Sequence, residues 1–311
     1  MTAEKRRILI VVHTGRPDSV DAAVRVHDLL VTAGAIPVMD EGQWDELGAD
    51  RARFALAEVL GRETDIHQVE LAIVLGGDGT ILRAAEVTRG SSAPILGVNM
   101  GHVGFLAESE RDDLDDAVHR VIARDYRVEE RMTLDVCVTT RDDEVIFSTW
   151  ALNEATVEKA SRERMLEVII EIDERPLSSF GCDGVIIATP TGSTAYNFSA
   201  GGPVIWPTVE AIALVPMAAH ALFARPLVVG PEAAVAIELM ERTAGRGVLW
   251  CDGRRSHELP PGARVVVRRS PEPVRLARLH APAFTNRLVN KFRLPVEGWR
   301  GHPRPDEGAS A

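Results

Sequence analysis

The sequence has little with which to build a disulfide framework or a thiolate metal site. Its three cysteines, Cys137, Cys182 and Cys251, lie far apart and form no CxxC pair. Such usage suits a reducing compartment, with the thiols as small buried or half-buried side chains. Long apolar runs are also missing. Behind the charged stretch Met1–Arg7 stands only Ile8–Val12, too short for a signal-peptide core or a membrane span and better read as a first buried strand. A cytoplasmic protein without a membrane partner is expected. Positive charge is scarce: 35 Lys and Arg stand against 46 Asp and Glu, a net charge of −11. That excludes the broad basic face needed to coat nucleic acid. It leaves room for one bound nucleotide, whose few charges need only local donors and a cation. Three familiar phosphate motifs are absent as well: the GxxxxGK[ST] loop, a GxGxxG after a strand, and the protein-kinase catalytic loop.

What is present is ordinary globular composition, with 45% hydrophobic and 26% charged residues over a length that favours two domains. In the first third, short apolar runs (Ile8–Val12, Leu71–Leu75, Ile95–Val98) alternate with helical stripes such as Ala22, Val26, Leu29 and Leu30. Strands apolar on both faces, separated by helices, predict a parallel, doubly wound α/β sheet. After Tyr126 the pattern changes to period two. Leu134, Val136 and Val138 alternate with polar neighbours, as do Leu166, Val168, Ile170 and Ile172, then Val235, Ile237 and Leu239, then Val265 and Val267. The fold class is therefore an N-terminal Rossmann-like α/β domain plus a β-rich, sandwich-like C-terminal domain. The boundaries expected are 1–128 and 129–283, then a segment 284–300 returning to the first domain and a disordered tail 301–311.

Three polar segments carry chemistry. Gly76-Gly77-Asp78-Gly79-Thr80 follows an apolar strand and precedes a helical pattern, the place where α/β sheets bind ligands. Its glycines allow close approach of peptide N–H groups to phosphate. A carboxylate among them would repel phosphate unless a cation intervened or it served a hydroxyl proton, so Asp78 reads as a metal-linked or base residue. The competing reading makes Asp78 or Thr80 a helix cap. Thr189–Tyr196 and its continuation to Pro203 crowd hydroxyls and glycines behind the apolar strand Val185–Ala188, with Tyr196 adding a stacking face. A hydroxyl-capped turn accounts for one or two of these residues but not for the run. Asn153-Glu154 closes the strand-like Val145–Leu152; an ionised Glu accepts and an Asn donates and accepts, which suits ribose hydroxyls.

Together these segments resemble the NAD kinase family. Gly76-Gly77-Asp78-Gly79, Asn153-Glu154 and Thr189–Tyr196 match its signatures in order, as do Asn99–Leu106, Ala224-Arg225-Pro226-Leu227-Val228 and Cys251-Asp252-Gly253. The first motif is shared with lipid kinases and phosphofructokinases; the combination is far more specific. The resemblance implies transfer of phosphate from ATP, or from polyphosphate, to the ribose 2′-hydroxyl of NAD, in a cleft between the domains of a homodimer or homotetramer. Asp78 would accept the hydroxyl proton, with Gly76, Gly77, Gly79 and Thr80 as the phosphate loop and Arg83 within reach of phosphate. Asn153 and Glu154 would bind the ribose and adenine side, and Asp183 would face the nicotinamide end. Thr194, Ala195, Tyr196, Asn197, Phe198 and Ser199 would line the dinucleotide, and Arg164 and Ala218 would add contacts. Where relatives often carry a larger polar residue, this chain has Gly181. Phosphoryl transfer needs mainly positioning and charge neutralisation, which implies a divalent cation, Mg²⁺ by default. A lipid kinase would need a basic amphipathic helix, which is not evident. A non-catalytic dinucleotide sensor would not need Asp78.

Overall fold

The computed structural model describes residues 5–101, 104–161, 165–242, 246–280 and 284–296. Arg164 and the tail 301–311 lie outside them.

The strand Arg7–Val12 runs inside the first sheet, parallel to Ile36–Met39 on one side and Val69–Leu75 on the other. Glu58–Val59 extends the first side and Ile95–Asn99 the second. The strand order therefore reverses beside Arg7–Val12, and the chain leaves Val12 and Leu75 at the same point of the sheet edge. These strands are buried on both faces, as their unbroken apolar runs require. Helices Pro17–Thr32 and Leu114–Ala123 share a core cluster with one face, through Val26, Leu30 and Val118. The other face is covered by Asp78–Thr88, whose Ile81, Ala84 and Ala85 pack with Val74 and Leu152.

The first sheet also takes strands from beyond the alternating region. Val274–Arg278 adds in parallel next to Ile95–Asn99, and Arg127–Arg131 pairs antiparallel with it. The expected limits 128/129 and 283/284 therefore need correction. The first falls inside a strand, and the chain rejoins the first sheet ten residues before Phe284. Local alternation marks a strand but not the sheet it joins, because the partner is remote in sequence.

The intervening chain forms two six-stranded antiparallel sheets packed face to face. Val136, Val168, Ile237 and Val265 of one sheet meet Val157, Val185, Leu214 and Leu249 of the other, all essentially dry. Each such side chain contributes about 1.5–3 kcal/mol on burial. The strand Gly184–Ala188 is buried on both sides, because Ile205 and Ala211 cover the outward-facing Ile186 and Ala188. Its unbroken apolar run has that cause. The helix Phe284–Phe292 touches both domains. Phe105 contacts Phe284 and Phe292 with ring centroids 6.0 and 5.8 Å apart, and Phe198 stacks on Phe292 at 4.4 Å.

Candidate active site

The glycine loop leaves Leu75 at the reversal of strand order, where open α/β sheets bind ligands outside the strand ends. Gly77 is the residue before the helix and Asp78 its first residue. The helix start has no side-chain cap. Instead the Asp78 carboxylate accepts the peptide N–H groups of Phe105 (3.0 Å) and Leu106 (3.1 Å). The helix-cap reading of Asp78 is thereby excluded, and a carboxylate at a helix start also lies in the favourable end of its dipole. Two glycines make the arrangement possible: a Cβ on Gly104 would collide with the Asp78 carboxylate, and one on Gly76 with the buried Thr80 side chain.

Beside the loop is a cavity of about 430 Å³, lined by Gly77, Gly79, Thr80 and Arg83 together with His13, Thr14 and Arg254. Arg83 faces this space but shares its charge with Asp40 (3.3 Å) and Glu46 (3.4 Å). Arg254 reaches it from the second domain while pairing with Glu86 on the glycine-loop helix. Sequence reading missed His13, Thr14 and Arg254. The first two are hidden in an evident turn, and only their place at the end of Arg7–Val12 beside Leu75 betrays them.

Asn153 and Glu154 form a second group. Asp252, nearly inaccessible, accepts the N–H groups of Leu152 (3.0 Å), Asn153 (2.7 Å) and Glu154 (3.4 Å), and pairs with Arg255 at 2.6 Å. Arg255 in turn lies over Trp150 at 4.5 Å, with Arg89 also over that ring. No role was assigned to Asp252 from sequence. Asp252 and Gly253 both have positive φ, 55° and 64°, in a hairpin turn, and an Asp-Gly pair read from sequence ends at that turn. Burial raises the Asp252 carboxyl above the ordinary carboxylate range, opposed by the peptide donors and Arg255. Glu154 lacks such donors. Burial, then the charge of Asp252, pushes it up to about 8, opposed only by the Tyr196 peptide N–H. Its Oε2 is buried without a partner among the described residues. Its carboxyl thus titrates well above the ordinary carboxylate range, which favours the protonated form that donates as well as accepts over the ionised acceptor that the sequence suggested.

The hydroxyl-rich segment closes over this corner. The Thr189 N–H donates to Asn153 O and its Oγ1 to Leu152 O, and a Cβ on Gly192 would run into the Asn153 peptide. Ser193 Oγ donates to Pro190 O and accepts from Ile205 N–H. Asn197, expected at the dinucleotide, is fully buried and donates to Ser193 O and Pro203 O, both at 3.0 Å. Its side chain shapes the turn. Tyr196, Phe198 and Ser199 are exposed, Ala195 and Thr194 half-buried, and Thr194 Oγ1 lies 3.3 Å from Thr191 O. Asp183 pairs with Lys159 at the far end of Gly184–Ala188, its N–H donating to Met217 O; Ala218, with φ 46°, follows directly. The structure thus brings together Asp78, Gly79, Thr80 and Arg83, and separately Asn153, Glu154 and Tyr196. Leu152 joins the groups, because it packs with Ile81 and Ala85 of the glycine-loop helix. Among the described residues no three His, Cys, Asp or Glu side chains converge as a metal site.

A glycine loop with a moored carboxylate at a strand-order reversal, joined through Leu152 to a polar corner of a β-sandwich, fits the class of nucleotide-dependent phosphotransferases. The chain belongs to the ATP-NAD kinase family: the family's N-terminal domain matches residues 8–126 and its C-terminal domain residues 152–279. It is 64% identical to an NAD kinase of Leifsonia xyli, with 96% of this chain and 98% of that one covered. It is 57% identical to an NAD kinase of Thermobifida fusca, with 95% and 92% covered. Among solved structures, the yeast NADH kinase complexed with NADH shares the fold with a TM-score of 0.82 at 23% identity, over 94% of this chain and 88% of that one. An Archaeoglobus fulgidus NAD kinase in complex with ATP has a TM-score of 0.67 at 22% identity, over 93% and 99%.

Proposed function

We propose that the chain transfers the γ-phosphoryl group of ATP to the 2′-hydroxyl of the adenosine ribose of NAD, with Asp78 receiving the hydroxyl proton. The chain is in this reading an NAD kinase, and its near full-length likeness to curated NAD kinases supports the substrate pair. The observation that carries the mechanism is Asp78 itself, moored by two peptide N–H groups and so prevented from folding back onto its own helix. The mooring leaves the carboxylate oxygens with free lone pairs for a hydroxyl. In a loose transition state the proton leaves late, so a carboxylate orients the hydroxyl first and collects the proton afterwards. Glu154 and Asn153 hold the ribose, with the proton on Glu154 supplying one donor. Arg83 and the peptide N–H groups of the glycine loop meet phosphate.

Lacking the lysine of a GxxxxGK[ST] loop, this site needs a divalent cation, Mg²⁺ by default, to neutralise the triphosphate. The donor set fits such a role in a limited way: Asp78 is the carboxylate available, and phosphate oxygens and water complete the shell of a cation that uses few protein ligands. The protein acts in the cytoplasm, supported by three free thiols of which two are buried. Among the described residues no helix is long and apolar enough to cross a membrane. It assembles as a homodimer or homotetramer, supported by the fully exposed Leu222 beside the exposed Phe223. The test is incubation with ATP, Mg²⁺ and NAD, with NADP read by an NADP-specific dehydrogenase. NADP should accumulate, stop on addition of EDTA and resume with excess Mg²⁺. NAD binding without turnover would instead mark a sensor, and turnover in thoroughly metal-free buffer would remove the cation from the account.

A further inference from the structure

A second cavity, of about 440 Å³, lies between the strands Arg127–Arg131 and Val274–Arg278 and the start of the helix Phe284–Phe292. In a chain of net charge −11 it gathers four arginines: Arg127, Arg131, Arg278 and Arg287. Two carboxylates oppose them. Glu129 pairs with Arg131 at 2.9 Å and Arg278 at 2.6 Å, and the fully buried Glu108 lies 3.1 Å from both Arg278 and Arg287. These two carboxylates, with the charge of Asp78 also acting on Arg287, leave the four guanidinium groups in excess. Arg127 is exposed and has no carboxylate partner among the described residues. Arg131 is 6% exposed, yet its Nε is buried with no hydrogen-bond partner there. An unmet guanidinium donor at a buried position carries a desolvation cost that an acceptor would relieve. The opposite wall is apolar, formed by Trp206 and Phe284 with ring centroids 5.0 Å apart.

The cavity is connected to Asp78 through one peptide bond. Arg287 donates to Phe105 O, and Asp78 accepts from Leu106 N–H, the other end of the same peptide unit. In a trans peptide these two groups point to opposite sides, so Arg287 and Asp78 grip it from opposite edges. Arg278 adds a bond to Leu106 O at 3.0 Å.

We propose that this cavity binds a small organic anion, a carboxylate or phosphate ester on a flat apolar body, and that its occupancy changes how firmly Asp78 is held. The arginine side takes the anion by charge-assisted hydrogen bonds and the Trp206 side takes the body. A ligand drawing Arg287 or Arg278 toward itself loosens their bonds to the Phe105 and Leu106 carbonyls. The effect on turnover rests on the catalytic role given above to Asp78, whereas the binding does not.

The test is calorimetric titration of the full chain with phenyl phosphate, with NAD and ATP present to fill the nucleotide cleft. Saturable binding is expected, about tenfold tighter than that of inorganic phosphate, the contribution of the apolar wall. Arg127→Gln should weaken it about tenfold, the scale of one charge-assisted hydrogen bond, with KM for NAD unchanged. Arg131→Gln tests the buried donor, and Trp206→Ala tests the apolar wall should that variant not fold. Phenyl phosphate should alter kcat in the native chain and leave it unaltered in Arg127→Gln. Absence of saturable binding, its loss when NAD and ATP are added, or undiminished native affinity in both the Arg127→Gln and Trp206→Ala variants would overturn the site. Binding with kcat unmoved would overturn the coupling to Asp78. A chain without NAD kinase activity would still report the binding.

Discussion

In the loop 76–80 a single acidic side chain is moored by peptide groups of another segment, while the glycines around it make room. In the segment 189–203 the polar side chains mostly turn inward. Thr189, Ser193 and Asn197 are fully buried and spend their hydrogen bonds on the turn itself and on the Leu152–Asn153 peptide. Both regions follow a buried strand and both are rich in glycine and hydroxyls, yet one holds a carboxylate, the base proposed above, and the other supplies a shape. The difference lies in what the backbone needs. A long irregular turn laid over a sheet must satisfy its own buried N–H and C=O groups, and its nearest side chains do so. A helix start instead projects its first N–H groups outward, which leaves its acidic residue free for a partner elsewhere.

The sharpest way to break this comparison is at Asp78. Asp78→Asn keeps the size of the side chain and an oxygen that can accept from Phe105 or Leu106, but removes the charge and the proton sink. We expect a folded protein that binds NAD while kcat falls by roughly 10²-fold or more, the scale of a general acid–base group. Near-normal kcat would make the moored carboxylate a structural feature like those of the other segment. Unfolding would do the same.

Gly192→Ala probes the second region where it touches the first. The added Cβ would run into the Asn153 peptide, and backbone cannot rotate aside as a long side chain can. A loss of about 1–3 kcal/mol is expected, the usual cost of overpacking, together with a raised KM for NAD because Asn153 and Glu154 move. Chemical denaturation and steady-state kinetics on one preparation read both. A destabilised protein with unchanged KM would uncouple the turn from the Asn153-Glu154 corner. Smaller still is the contrast between Asn197→Ala and Ser199→Ala. The first removes two buried hydrogen bonds and should cost about 2 kcal/mol, seen as a lower Tm. The second, at an exposed position, should leave Tm unmoved. Equal melting of the two variants would contradict the inward role of Asn197.

Much of this was legible from sequence because it is local. Two-sided apolar runs announced the parallel strands, alternation announced the sandwich, and the glycine motif placed Asp78 at a strand end. What stayed hidden depends on remote pairing. Val274–Arg278 alternates like its neighbours, and nothing within it says that its partner is Ile95–Asn99. Asp252 sits in an ordinary-looking hairpin turn, and only the approach of Leu152–Glu154 makes it the acceptor for three peptide groups. Asn197 was placed at the substrate with the whole run Thr194–Ser199 that the family resemblance implies, but a one-residue step in that tight helical turn reverses a side chain from outside to inside. The proton on Glu154 was out of reach for the same reason, since it follows from burial and from a carboxylate about 100 residues away in sequence.

That proton gives the finest test. Glu154 titrates near 4.5 when exposed, and burial with the nearby Asp252 charge pushes it up to about 8 in the folded chain. Between those values the folded protein holds a proton that the unfolded chain releases, so stability from this group is greatest below about pH 4.5 and is lost as pH rises through about 8. Glu154→Gln keeps an amide that donates and accepts and removes the titration. At pH 6.5 the variant should show nearly native KM for NAD, since both side chains are then neutral donors. Above about pH 8 the two should part: the native KM rises as the donor is lost and a charge forms beside Asp252, whereas the Gln variant stays level. Its Tm should also fall less than that of the native chain between pH 5 and 8. A Glu154→Gln enzyme with a strongly raised KM at pH 6.5 would show that the ribose meets an ionised acceptor there. Parallel pH profiles of Tm for the two proteins would show that Glu154 is already ionised in the folded chain.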